Sequence, residues 1–115
     1  MLKHITREAL KGMIDRNENF ILVDVLRPES YEEEHIPGSI NIPLEDIGEK
    51  AKKHLDSDKE IIVYCGSFQC NMSSQAAEEL IKLGYKDVYD YDGGLQDWKD
   101  AGFPLESSRY AKAVG

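Results

Sequence analysis

The chain has 115 residues, 41% of them hydrophobic and 31% charged, with a formal net charge of −8. This is one domain's length, with enough apolar residues for a core and a composition that argues against disorder. The acidic balance argues against nucleic acid and anionic membranes as partners, and no apolar run approaches the length of a membrane span.

The first five residues lead directly into a helix pattern with no signal-peptide character, which implies a cytoplasmic protein. Two cysteines in a reduced compartment are seldom a structural staple. They do not form a zinc set either. Cys65 and Cys70 lack a second pair, and His4, His35 and His54 show no ligand spacing to them. No metal and no other cofactor is expected.

The first helix opens at Thr6 as N-cap, with Ile5 and Leu10 placed as a hydrophobic staple and Ala9, Leu10, Met13 and Ile14 as its buried stripe. Residues 20–25 are a strongly apolar strand that needs cover on both faces, which favours a parallel sheet with helices outside. Pro28 starts a short surface helix rich in glutamate. Pro37-Gly38 is a turn, and residues 39–42 alternate like a short edge strand. An amphipathic helix is expected over 45–55, with Ile47, Ala51 and Leu55 on one side.

Residues 61–64, Ile-Ile-Val-Tyr, have no polar face and run straight into Cys65. A short polar loop follows, then Ser73 and Ser74 as candidate N-caps of a helix that buries Ala76, Ala77, Leu80, Ile81 and Leu83. Gly84 ends that helix. Residues 87–91 form another strand, Gly93-Gly94 turns into a last helix burying Leu95, Trp98 and Ala101, and residues 107–115 read as a tail after a single domain over 1–106. Strands alternate with helices throughout, so the class is α/β.

Cys65 therefore stands at the carboxyl end of a central strand, the edge where open α/β sheets bind ligands, ahead of a helix N-terminus that favours a thiolate. It has two readings, buried filler and nucleophile. The loop's Gly66, Ser67, Gln69 and Asn71 are small or polar, which places the thiol at the solvent border and favours the nucleophile.

Four segments in order resemble the rhodanese-like domain family. Leu22-Val23-Asp24-Val25 is similar to the strand before its D-V-R motif. Tyr31 through Ser39 fits its aromatic-x-x-x-H-I-P-G-small signature. Ile62-Val63-Tyr64-Cys65 with Ala76-Ala77 resembles its nucleophile strand and helix, and Gly93-Gly94 with Trp98 its terminal G-G-x-x-x-W. The resemblance implies an open five-stranded parallel sheet flanked by helices on both faces. It also implies a sulfurtransferase in which Cys65 takes a sulfane sulfur as a persulfide, loop amides hold that sulfur, and a thiol acceptor removes it. The expected partners are a small sulfur donor or protein persulfide and a thiol acceptor.

Two departures bear on the donor. The segment from Cys65 to Ser73 is two residues longer than the family's C-x-x-G-x-R-S, and Met72 falls where the arginine would be. Leu26 replaces the arginine of D-V-R, with Arg27 one residue late. Anionic donors such as thiosulfate are usually gripped by such charges, so a persulfide is the better donor. The longer loop adds Cys70, either filler or a resolving thiol that attacks a persulfide on Cys65. Ser67, Gln69, Asn71 and Ser73 are candidate hydrogen-bond donors to bound sulfur. Phe68 shields the thiol, contacts a partner or anchors the loop. Asp24 is expected to order its loop by pairing with Arg27, and His35 to hydrogen-bond backbone beside the turn. A non-catalytic binding module of the same fold is the competing function. A phosphatase-like or arsenate-reductase-like enzyme ranks below both, since it wants an arginine clamp.

Overall fold

The structure, a computed structural model, describes residues 2–108. Its elements in chain order are β1 (Lys3–His4), α1 (Arg7–Asp15), β2 (Phe20–Asp24), α2 (Pro28–Glu33), β3 (Ile40–Asn41), a 3-10 turn at Leu44–Asp46, α3 (Ile47–His54), β4 (Glu60–Tyr64), α4 (Met72–Lys82), β5 (Val88–Tyr91) and α5 (Gly94–Asp100). Among the described residues these five strands pair in parallel, in the order β1-β5-β4-β2-β3. The expected α/β class and five-stranded sheet are present.

The apolar strands are covered on both sides, as their sequences require. On one face Val23, Val25, Ile61, Val63 and Cys65 pack with Ile47, Ala51 and Leu55 of the α3 segment and Ala76, Ala77 and Leu80 of α4. On the other, Leu22, Ile62, Tyr64 and Tyr91 pack with Leu10 of α1 and with Leu95 and Trp98 of α5. Trp98 donates to the Pro104 carbonyl at 2.8 Å, so its one polar atom is satisfied inside the core.

Three expectations need correction. The segment before α1 contains β1, which pairs beside β5. Two exposed residues, Lys3 and His4, carry no hydrophobic period that could announce a strand. Ala9 is exposed, and of the expected α1 stripe Leu10 alone is fully buried. At α4 the helix begins at Met72, so Asn71 holds the cap position and Ser73 and Ser74 lie inside the first turn. The α1 cap matches expectation, with Thr6 accepting from the Ala9 amide. Most of the expected tail, residues 109–115, lies outside the described residues; Ser107 donates to the Glu32 carbonyl at 3.2 Å.

Gly94 joins the last helix to the cysteine strand. Its φ is +65°, and a Cβ there would stand 2.5 Å from the Cys65 carbonyl oxygen and 2.9 Å from Ser67 N. Gly94→Ala should therefore lose more stability than the roughly 1–2 kcal/mol of a left-handed alanine. Gly38→Ala, at φ +85° with open space around it, should lose about that conformational part alone. Urea denaturation of the two variants checks this; equal losses would contradict the close approach.

Candidate active site

β4 ends at Tyr64, and Cys65 is the next residue, held in place by its carbonyl. The first free amides of α5 close on the loop: Leu95 N donates to Cys65 O at 3.0 Å and Gln96 N to Gly66 O at 2.9 Å. A helix start leaves its first amides without intrahelical partners, and here two of them find the cysteine loop. The loop then turns sharply, with Cys70 N donating to Ser67 O at 3.0 Å. The amides of Gly66, Ser67, Phe68, Gln69 and Asn71 make no backbone hydrogen bond among the described residues. They form a donor-rich rim ahead of α4, of the kind that holds anions.

Cys65 and Cys70 are joined as a disulfide, with their Cα atoms 6.5 Å apart. Cys65 is fully buried, against the expectation of a thiol at the solvent border. The small polar residues do form the loop, but the loop folds over its own first residue and closes through Cys70. Ser73 on α4 is also fully buried, and its Oγ lies 3.4 Å from Cys65 Sγ. Phe68 projects outward and is 64% exposed, so it does not anchor the loop. It borders a hollow of about 340 Å³ shared with His4, Arg7, Tyr91, Asp92 and Asp97. Gln69 and Asn71 are exposed and Ser67 is half-buried. Asn71 Oδ1 accepts from the Gln75 side chain at 3.0 Å rather than capping an amide.

No cationic side chain belongs to the loop. Arg7 lines the Phe68 hollow, but its guanidinium is engaged, at 3.1 Å from both Asp97 and Glu8. Arg27 is well exposed and pairs with Glu29 at 3.5 Å, so it does not pair with Asp24 as expected. It borders a smaller hollow of about 170 Å³ beside Met72.

The structure does not bring Asp24 and His35 to the sulfur. Side chains alternate along a strand, and Asp24 falls on the face of Leu22, opposite Val23 and Val25, which pack with Cys65. Asp24 is fully buried; one carboxyl oxygen accepts from Leu26 N at 2.9 Å and the other has no hydrogen-bond partner among the described residues. On that same face Tyr64 accepts from Ile36 N at 3.0 Å, and Ser39 donates to the Ile36 carbonyl at 2.7 Å. His35 stacks on Tyr31 at 3.9 Å, shares a 2.6 Å hydrogen bond with the Tyr31 carbonyl, and exchanges backbone hydrogen bonds with Glu106. Backbone bonding at His35 is as expected. Asp24, Tyr64, Ser39 and His35 thus form a buried polar cluster that orders the loops beneath β4.

Sequence reasoning passed over Asp90. It is buried on β5, one oxygen has no hydrogen-bond partner among the described residues, and burial raises its pKa, with the Ser73 hydroxyl pulling it back. The available signal was alternation: Val88 and Asp90 share a strand face that is otherwise apolar.

Among the described residues no group of three or more His, Cys, Asp and Glu could hold a metal ion. No helix among them is long and apolar enough to cross a membrane.

A parallel sheet covered on both faces, with a cysteine at the end of its central strand and a loop closed by a helix start, defines a class of small α/β domains. Residues 6–101 match the rhodanese-like domain family, and the chain belongs to it. It is 36% identical over 97 residues to the candidate sulfur carrier protein YrkF of Bacillus subtilis, covering 84% of this chain and 51% of that protein, so it spans about half of that relative. It is 35% identical over 105 residues to the thiosulfate sulfurtransferase GlpE of Pseudomonas syringae, covering 91% of this chain and 93% of the relative. The BH2092 protein of Bacillus halodurans superposes with a TM-score of 0.87 at 33% identity, covering 93% of this chain and 78% of that one. The rhodanese-like domain of the Anabaena protein Alr3790 gives 0.84 at 29% identity, covering 97% and 84%.

Burial pushes the Asp24 carboxyl up to about 6, against the pull of the Leu26 amide, the Tyr64 hydroxyl and His35. Between the unfolded value near 4 and about 6 the folded state holds this proton and the unfolded chain does not. The stabilising contribution is full below about pH 4 and is lost as pH rises through about 6, on the order of 3 kcal/mol. The difference in unfolding free energy between wild type and Asp24→Asn should shift against wild type by that order from pH 4 to pH 7. A constant difference would contradict a proton held at Asp24.

Proposed function

We propose that the chain is a sulfurtransferase that carries sulfane sulfur as a persulfide on Cys65 and passes it to a thiol acceptor, with Cys70 as the resolving thiol. The observation that carries this reading is the Cys65–Cys70 bridge inside the loop, which brings two sulfurs together at the end of β4. The sulfurtransferase name of the relatives supports the class of reaction.

The reaction balances without an outside oxidant. Cys65 thiolate attacks the terminal sulfur of a persulfide donor, forming Cys65–S–SH and releasing the donor as thiolate. The uncommitted loop amides and the N-terminus of α4 stabilise the sulfur anion. The outer sulfur then leaves to an acceptor thiol. Alternatively, Cys70 thiolate attacks Cys65 Sγ and expels hydrosulfide, so the pair is oxidised as the sulfane sulfur is reduced. Two further thiols restore both cysteines by exchange.

The donor is a low-molecular-weight or protein persulfide rather than thiosulfate. Gly66, Ser67, Phe68, Gln69, Asn71, Met72 and Ser73 carry no positive charge, and the net charge of the chain repels dianions. Thiosulfate turnover with cyanide should be feeble. Met72→Arg should raise it, by a contact worth about 1.5–3 kcal/mol if aligned. Brisk turnover of thiosulfate by the unmodified chain would overturn this view of the loop.

Reduced protein loaded with a persulfide donor and freed of excess separates the two fates of the sulfur. Wild type should release sulfide and end two hydrogens lighter by intact mass, while Cys70→Ser should keep its added sulfur. Equal persulfide lifetimes would return Cys70 to filler. A Cys65 that takes up no sulfur in either protein would leave a binding module.

A further inference from the structure

On the sheet face that carries the sulfur lies a carboxylate that the transfer chemistry leaves unused. Along β5, Tyr89 and Tyr91 pack on the α1 and α5 side, and Val88 packs with Val63 and Cys65 on the α3 and α4 side. Alternation puts Asp90 on the side of Cys65. It is 1% exposed, and its Oδ1 has no hydrogen-bond partner among the described residues. Native proteins rarely keep an ionised carboxylate in such a place without partners.

The groups that face Asp90 are few. The Ser73 hydroxyl of α4 and His4 of β1 favour its charge, and Asp92, just past the strand, repels it. His4 and Asp92 stand 3.6 Å from each other at the exposed sheet edge, where solvent screens both. Ser73 is the buried neighbour, and its Oγ is also the atom 3.4 Å from Cys65 Sγ. The buried hydroxyl 3.4 Å from the sulfur is thus also the one that favours charge on Asp90.

We propose that Asp90 is a positioning residue that accepts the Cys65 thiol proton through the Ser73 hydroxyl. In the reduced protein the thiol donates to Ser73 Oγ, and Ser73 donates to ionised Asp90. The S–H proton moves to Ser73 Oγ as the Ser73 proton moves to Asp90. The products are a Cys65 thiolate, an intact serine hydroxyl and a neutral Asp90. Both hydrogen bonds then reverse, so that Asp90 donates to Ser73 and Ser73 donates to the thiolate. The site carries one negative charge before and after the transfer. The same relay receives the Cys65 thiolate expelled when an external thiol attacks Cys70 of the disulfide. This inference rests on Cys65 being the nucleophile, but its test follows protonation alone, so absence of sulfur transfer would leave it intact.

The test is the rate of alkylation of Cys65 by iodoacetamide against pH, in reduced Cys70→Ser protein so that one thiol reacts. A shared proton gives two rising limbs separated by a plateau. The first limb marks the pair losing its first proton, the second its last. Asp90→Asn and Ser73→Ala in the same background should each lose the lower limb and plateau, leaving one high-pH limb, and Ser73→Thr should restore both. A single limb in the Cys70→Ser protein itself would overturn the proposal without recourse to any further variant. So would a plateau that survives Asp90→Asn.

Discussion

The cysteine loop is held by the contact between its first two residues and the start of α5. Cys65 O and Gly66 O accept the Leu95 and Gln96 amides, and the approach is close enough that a Cβ on Gly94 would meet the Cys65 carbonyl. That contact ties the first two residues after β4 to the last helix. Tyr91, buried just before this turn, packs edge-on against Trp98 at 6.2 Å, and Trp98 against Phe103 at 4.9 Å. The aromatic core under α5 therefore braces the loop from the face opposite Cys65 Sγ.

Electrostatics set what such a loop can handle. In the proposed reaction a thiolate here has a serine hydroxyl, loop amides and a helix N-terminus to stabilise it, all uncharged, instead of a cation. Such a site suits a monoanionic persulfide better than a dianionic oxyanion, which needs charge neutralised at both ends. A second cysteine in the same loop offers another way to end the cycle, through sulfur exchange rather than anion release. The two buried carboxylates lie on opposite faces of the sheet. Asp24 sits in the cluster that orders the loops beneath β4, and Asp90 lies on the face that carries Cys65.

Much of this arrangement is legible in the residues. The all-apolar run before Cys65 announces a buried parallel strand, and the His35-Ile36-Pro37-Gly38 and Gly93-Gly94 segments fix the family and the register. What escaped depends on three-dimensional direction. β1 is two exposed residues whose strand character comes from pairing beside β5. Asp24 and Arg27 are three residues apart, yet one points into the core and the other into solvent. Polar loop residues suggested an accessible thiol, but their side chains lie outside while the backbone folds over Cys65. Asp90 is one of many acids in the sequence, and its burial shows only when β5 is placed against α4.

The central claim is that sulfur passes through Cys65. A single-turnover experiment with a persulfide donor labelled in its outer sulfur tests it most directly. The label should appear on the peptide containing Cys65 and then move to an added acceptor thiol at a rate that depends on acceptor concentration, with no uptake in Cys65→Ser. Label that never attaches to Cys65, or that attaches equally in Cys65→Ser, would contradict the account.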